Sequence, residues 1–149
     1  MSILNDIRRA ALDLLARREH SRTELLHKLS KKNFTEKDIH AVLTILSQEN
    51  VLSDHRFTET FIHYRCRMGY GPSYIQAELK NRGVAEDLIQ HYLLLSADIW
   101  LESLYNVWHK RFKGHVPKDY KSRAQQMRFL QYRGFTVEQI NSHFKTILT

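Results

Sequence analysis

The sequence predicts an all-α protein: three tandem three-helix repeats, helix-turn-helix-like units set in an elongated, curved array. Three observations carry this prediction. Among 149 residues there are 5 glycines and 2 prolines, fewer turn residues than a strand-rich fold needs. Apolar positions recur at helical spacing along most of the chain. Three stretches also align on their turn residues at a period of about 50, which is the signature of stacked helical units.

Those stretches are "ELLHKLSKKNFTEKDIHAVL" (24–43), "SYIQAELKNRGVAEDLIQHYL" (73–93) and "AQQMRFLQYRGFTVEQINSHF" (124–144). Leu29, Leu79 and Leu130 coincide, as do Lys32, Arg82 and Arg133, then Asn33, Gly83 and Gly134. Phe34, Val84 and Phe135 follow, and then Ile39, Ile89 and Ile140. A basic residue suits the negative end of a helix dipole. Asn or Gly next to it takes the left-handed backbone that stops the helix. The apolar residue after that stands five before the isoleucine, the spacing of a hydrophobic staple.

The first repeat, 1–53, opens with a helix whose Ile3, Ile7, Ala11, Leu14 and Leu15 share one face. Ser21 with Glu24 is a capping box that starts the second helix, and Thr35 with Asp38 is a looser one for the third. The second repeat, 54–96, has Phe57, Phe61, Tyr64 and Met68 on its first helix. Gly71-Pro72 opens its second, proline being tolerated in a first turn. Ala85 leaves its third without a side-chain cap. The third repeat, 97–149, starts with Ala97, Trp100, Leu101, Leu104 and Trp108 on one face. It continues through a loop at 113–119 and restarts at Thr136, boxed with Gln139. The apolar period does not break between Ile89 and Trp108, so one long helix or a slight kink is expected there.

Several function classes have little support. The single Cys66 allows no intrachain disulfide and fits a reducing compartment. No signal peptide is visible, and "LIQHYLLLSA" is too short to span a bilayer. A soluble, cytoplasmic protein is expected. Nine histidines form no H-E-x-x-H pattern, and Cys66 has no partner at finger spacing. "GYG" (69–71) has no third glycine and no following Gly-Lys-Ser/Thr, so it is a turn and not a phosphate cradle. No nucleophile, base and orienting group converge in the sequence, and neither an enzyme nor a cofactor is expected.

Charge is more informative. The net +7 divides as +2 over residues 1–53, zero over 54–96 and +5 over 97–149. Between Tyr105 and Arg133 there are eight Lys or Arg and one acid, Asp119. Such a field favours a polyanion or an acidic protein groove, with binding that weakens in salt. The candidate binding residues are Arg65, Arg67, Lys110, Arg111, Lys113, Lys121, Arg123, Arg128, Phe129, Tyr132 and Arg133. The slots matching Phe129 are Lys28 and Glu78, and those matching Tyr132 are Lys31 and Asn81. Two aromatics three residues apart share a helix face. Either they are exposed for a partner, or Trp108 or Phe112 packs over them.

The ordered segments "LSDHRFTETFIHYR", "GYGPSYIQAELKNRGV" and "RFLQYRGFTVEQI" resemble the RecX family, bacterial regulators of the RecA recombinase. The resemblance runs from about Ala16 to Leu148. The sequence departs from the usual family pattern at Thr58, at Ser53-Asp54 and at Asn33, positions of caps and packing. The resemblance implies a non-catalytic protein that lodges in the groove of the recombinase filament on DNA; a monomer is expected. Such a protein limits filament growth, ATP hydrolysis, strand exchange and repressor co-cleavage in DNA repair and the SOS response. It also implies sequence-independent binding of single- and double-stranded DNA. A helix-turn-helix transcriptional regulator is the alternative, since short helices joined by tight turns have that form.

Overall fold

Local capping sets the helix boundaries in the computed structural model, which describes residues Ser2–Thr149. Ser2 Oγ accepts from the Asn5 N–H at 3.2 Å and starts α1 (Ile3–Arg17). The Ser21–Glu24 box is closed in both directions and starts α2 (Arg22–Ser30). Asn33 is left-handed (φ 64°), and Thr35 starts α3 (Glu36–Gln48) by accepting from the Asp38 N–H. Next come α4 (Asp54–Arg67), α5 (Pro72–Asn81) with proline in its first turn, and α6 (Glu86–Leu95). Among the described residues the α-helices end with α7 (Trp100–Phe112), α8 (Tyr120–Tyr132) and α9 (Val137–Ile147). The Thr136–Gln139 box that starts α9 is also closed in both directions.

One boundary departs from the sequence reading, and one expected loop is present. The stretch from Ile89 to Trp108 is not one helix: α6 ends at Leu95, and Ala97–Ile99 tighten into a 3-10 turn before α7. The Ser96 hydroxyl donates to the Tyr92 carbonyl at 2.9 Å, and such back-bonding competes with the helical ladder. An apolar period does not register that change. The loop at 113–119 also has internal structure. Lys113 (φ 57°) and Gly114 (φ 77°) end α7, and an Asp119–Ser122 capping box starts α8.

The apolar stripes are narrower than the periodicity suggested. Ile7 and Ala11 are buried, while Ile3 is 52% exposed. On α4 the buried positions are Phe57, Thr58 and Ile62, and Tyr64 and Met68 are exposed. Thr58 is accommodated because its hydroxyl donates to the Asp54 carbonyl at 2.7 Å. On α7, Trp100, Leu104 and Trp108 are buried and Leu101 is exposed.

The chain divides into two compact units. The first holds the residues up to Thr60 together with Leu79–Ile89. Its core gathers Ile7, Leu25, Leu29, Ile39, Leu43 and Leu46, all fully buried. At roughly 1.5–3 kcal/mol each, they outweigh a surface pair such as Arg8–Glu49, worth about 0–1 kcal/mol. The second unit holds Phe61–Glu78 and Gln90–Thr149. Leu104, Trp108, Leu130, Phe135, Ile140 and Phe144 form a core cluster in it. Buried Gln126 ties this cluster together, accepting from Trp108 Nε1 at 2.8 Å and donating to the His115 carbonyl at 2.9 Å.

The same join appears once in each unit. In the first, Ser21 Oγ donates to the Arg82 carbonyl at 2.7 Å. A Cβ on Gly83 would lie 2.5 Å from Thr23 Cβ. In the second, the Gly71 N–H donates to the Arg133 carbonyl at 2.8 Å and the Ser73 N–H to the Gly134 carbonyl at 2.9 Å. A Cβ on Gly134 would lie 2.7 Å from the Tyr74 nitrogen. In both cases the start of one helix sits against the left-handed turn of another. Glycine at 83 and 134 is therefore required by close approach as well as by φ. Asn33 is exposed and needs only the φ, which Asn tolerates.

Candidate functional site: a cationic groove

Within the second unit lies a groove of about 710 Å³. The C-terminal end of α4 and the turn after it supply Arg67, Met68 and Gly69; α7 supplies Val107, Lys110 and Arg111; α8 supplies Phe129 and its C-cap supplies Arg133. Gly69 is left-handed (φ 90°), and a Cβ there would stand 3.1 Å from Val107 and 3.3 Å from the Arg133 guanidinium. The turn after α4 therefore fits close against both. Ser103 Oγ donates to the Cys66 carbonyl at 3.4 Å, which ties α7 to the end of α4.

Electrostatically the groove is one-sided. Arg67, Lys110, Arg111 and Arg133 line it against one acid, Glu102. The Arg133 guanidinium is held in place: it lies over Tyr70 at 5.4 Å and over Phe129 at 5.5 Å, and it donates to the Met68 carbonyl at 3.4 Å. Arg111 lies over Phe129 at 5.5 Å and over Phe112 at 5.1 Å. Phe112 meets Phe129 edge-on, 5.5 Å between centroids at 89°. The groove thus presents fixed guanidinium donors and two exposed cations, a set suited to holding an anion. Among the described residues no group of three or more His, Cys, Asp or Glu is placed to hold a metal.

The structure sorts the eleven sequence-predicted residues. Arg67, Lys110, Arg111, Phe129 and Arg133 come together in the groove. Lys113, Lys121, Arg128 and Tyr132 are exposed outside it, Tyr132 at 87%. Arg65 has a packing role. It donates to Glu78 at 3.0 Å in a largely buried ion pair and lies over Phe61, Tyr64 and Tyr70. Arg123 lies over the buried Phe144 ring at 4.8 Å. The two aromatics separate: Phe129 is half-buried against Phe112, and Tyr132 faces solvent. Sequence reasoning missed Ile99, Glu102 and Val107 as groove residues. The signal available for that turn was Gly69, read only as a turn glycine.

Two titrating groups of this unit are displaced, and both lie outside the groove lining. Hydrogen bonding from the Ser122 backbone N–H, and then from its side chain, holds Asp119 below the usual carboxylate range. Burial holds the His143 imidazole below its ordinary value of 6.5. That ring stands 4.8 Å from Trp108, with Nε2 buried and unpartnered.

Comparison with known proteins places this geometry. The family models for RecX match in order along the chain: the first three-helix domain at 8–46, the second at 53–93 and the third at 98–143. "Regulatory protein RecX" of Pseudomonas putida (strain GB-1) is 48% identical over 134 residues, 90% of this chain and 86% of that protein. The protein of the same name from Ectopseudomonas mendocina (strain ymp) is 46% identical, over 90% and 89%. The crystal structure of RecX from Lactobacillus salivarius superposes with a TM-score of 0.83 over 97% of this chain and 96% of that one. At 18% identity it bears on the fold alone. No helix of the described residues is long and apolar enough to cross a membrane. Three family models in order and relatives near half identity leave one conclusion: the chain belongs to the RecX family of regulatory proteins.

Proposed function

We propose that this protein binds the RecA recombinase filament, and DNA without regard to sequence, and restrains the recombinase. Filament growth, ATP hydrolysis, strand exchange and repressor co-cleavage are the activities it lowers, which places it in the control of DNA repair and the SOS response. The observation that carries this reading is the cationic groove of a RecX-family chain. Four cations converge on it against one acid, with fixed guanidiniums on α7 and α8. DNA is a polyanion and the filament is assembled on it, and a concentrated positive field speeds encounter with either. The test is a titration of the protein into the cognate recombinase on single-stranded DNA. Substoichiometric amounts are expected to lower the ATPase rate; an unchanged rate and filament length at saturation refutes the reading.

The placement of charge favours this over a helix-turn-helix regulator. The groove cations lie on α7, at the C-cap of α8 and at the end of α4, while α9 carries Lys145 and Glu138. A reading helix would have its base-contacting cations on itself. Selection on random duplex DNA is expected to return no motif.

A further inference from the structure

We propose that the groove takes an acidic protein segment bearing an apolar side chain, and not the phosphodiester backbone of nucleic acid. This rests on the functional reading above, because it says which of the two anionic partners the groove serves. The lining has two parts. Arg67, Lys110, Arg111 and Arg133 make it cationic, whereas Met68, Ile99 and Val107 give it an aliphatic surface. A phosphate backbone gains nothing from aliphatic surface; a leucine, methionine or phenylalanine between carboxylates gains from both. The volume, about 710 Å³, is that of a cleft for a few side chains.

The aromatic rings point the same way. Single-stranded nucleic acid is usually held by bases stacked on free aromatic faces. Phe129 is covered by the guanidiniums of Arg111 and Arg133 and abutted by Phe112. Tyr70 is stacked on Tyr74 at 4.3 Å and carries Arg133. Phe129 and Tyr70 therefore offer no platform for a base. What they do is fix two guanidiniums, and fixed forks suit carboxylates at low entropic cost. Glu102, the one acid on the wall, disfavours a carboxylate beside it and so sets where the apolar side chain enters.

The experiment uses the full chain and two variants at exposed positions, Arg67→Gln with Lys110→Gln, and Met68→Gln, each checked for an unchanged melting curve. A displayed library of random 12-residue peptides is selected on the wild type. Enriched peptides are expected to carry Asp or Glu around a Leu, Met or Phe. Loss of the two cations is expected to weaken a synthetic selected peptide by about tenfold or more. Met68→Gln is the deciding variant, since it leaves charge untouched. It is expected to weaken the peptide and the inhibition of the recombinase ATPase by about fivefold, and to leave affinity for a thymidine 30-mer within about twofold. The proposal is overturned if Met68→Gln weakens the oligonucleotide as much as the peptide. It is equally overturned if the enriched peptides lack acids, or if the selected peptide ignores all three substitutions. Self-association abolished by the same variants would assign the groove to a second copy, and would also overturn it. If the wild type does not inhibit the recombinase at all, the functional reading fails, and the peptide arm alone judges the groove.

Discussion

Replacing Gly134 by alanine tests the join between helix start and left-handed turn. The backbone there has φ 102°, outside the usual L-residue regions, and holding alanine in it costs about 1–3 kcal/mol. The added Cβ would stand 2.7 Å from the Tyr74 nitrogen, so the two backbones must separate. Separation weakens the bonds from the Gly71 N–H to Arg133 O (2.8 Å) and from the Ser73 N–H to Gly134 O (2.9 Å), about 1 kcal/mol each. The loss expected is roughly 3–5 kcal/mol, a large part of the roughly 5–15 kcal/mol typical of a folded domain. Asn33→Ala, at the matching slot, has φ 64° and an exposed side chain, and should lose only about 1 kcal/mol. The assay is urea unfolding, read for Gly134→Ala by tryptophan emission, because Trp100 and Trp108 are both buried residues of the second unit, and for Asn33→Ala, in the first unit, by far-UV circular dichroism. With a slope of about 2 kcal/mol per molar urea, the Gly134→Ala midpoint should fall by about 2 M. A loss no greater than that of Asn33→Ala would refute the claim that close approach carries energy at this turn.

Three further outcomes follow from the geometry. His143 is held below its ordinary value of 6.5 by burial, so the unfolded chain takes up the proton first as pH falls. Its contribution is present above that value and is lost as pH drops through the lower folded value; tryptophan-read urea midpoints should decline below about pH 6.5, and His143→Phe should flatten that decline. Arg65→Met removes one partner of the Arg65–Glu78 pair, whose side chains are 21% and 16% exposed. It should lower stability by about 1–3 kcal/mol in urea titrations, while full-length protein that remains folded still inhibits the recombinase. Tyr132→Ala, at a position 87% exposed, should move the melting curve by less than about 0.5 kcal/mol yet weaken partner binding in anisotropy titrations.

The helices and their turns were legible because their causes are local. Ser21 with Glu24 and Thr136 with Gln139 close as capping boxes, and Asn33, Gly83 and Gly134 take left-handed φ as their slots required. The groove was not legible, because its walls meet through tertiary packing. Cys66 and Ser103 are 37 positions apart and Met68 and Arg133 are 65 apart, and no local pattern joins them. Counting charge also failed to separate roles. Arg65 and Arg123 lie over rings, where long side chains cover apolar surface, whereas Arg67 lines the groove. Phe129 and Tyr132, three apart, differ by about 60° around the helix axis. That angle is enough for one to meet Phe112 and the other to face water.

Matching slots of the three repeats make different contacts. At the slot of Phe129, Lys28 donates to His20 at 2.9 Å and Glu78 accepts from Arg65 at 3.0 Å, while Phe129 meets Phe112. Each side chain reaches a residue of its own three-helix segment, so lysine, glutamate and phenylalanine are three solutions to one internal contact. The aromatic at that slot therefore needs no partner to explain it. The slot of Lys31, Asn81 and Tyr132 behaves oppositely, since all three residues are exposed. Lysine and asparagine are ordinary at a solvated position, and nothing in the packing accounts for a tyrosine there. Arg133 is intermediate. Arg82 at its slot stands 3.5 Å from Glu24 across one join, and Arg133 reaches the Met68 carbonyl and Tyr70 across the other. The same basic side chain that braces a join in the first unit lines a groove in the second. A contact position shared by two repeats thus lines a groove in one, where Gly69 lets Arg133 and Val107 approach the turn.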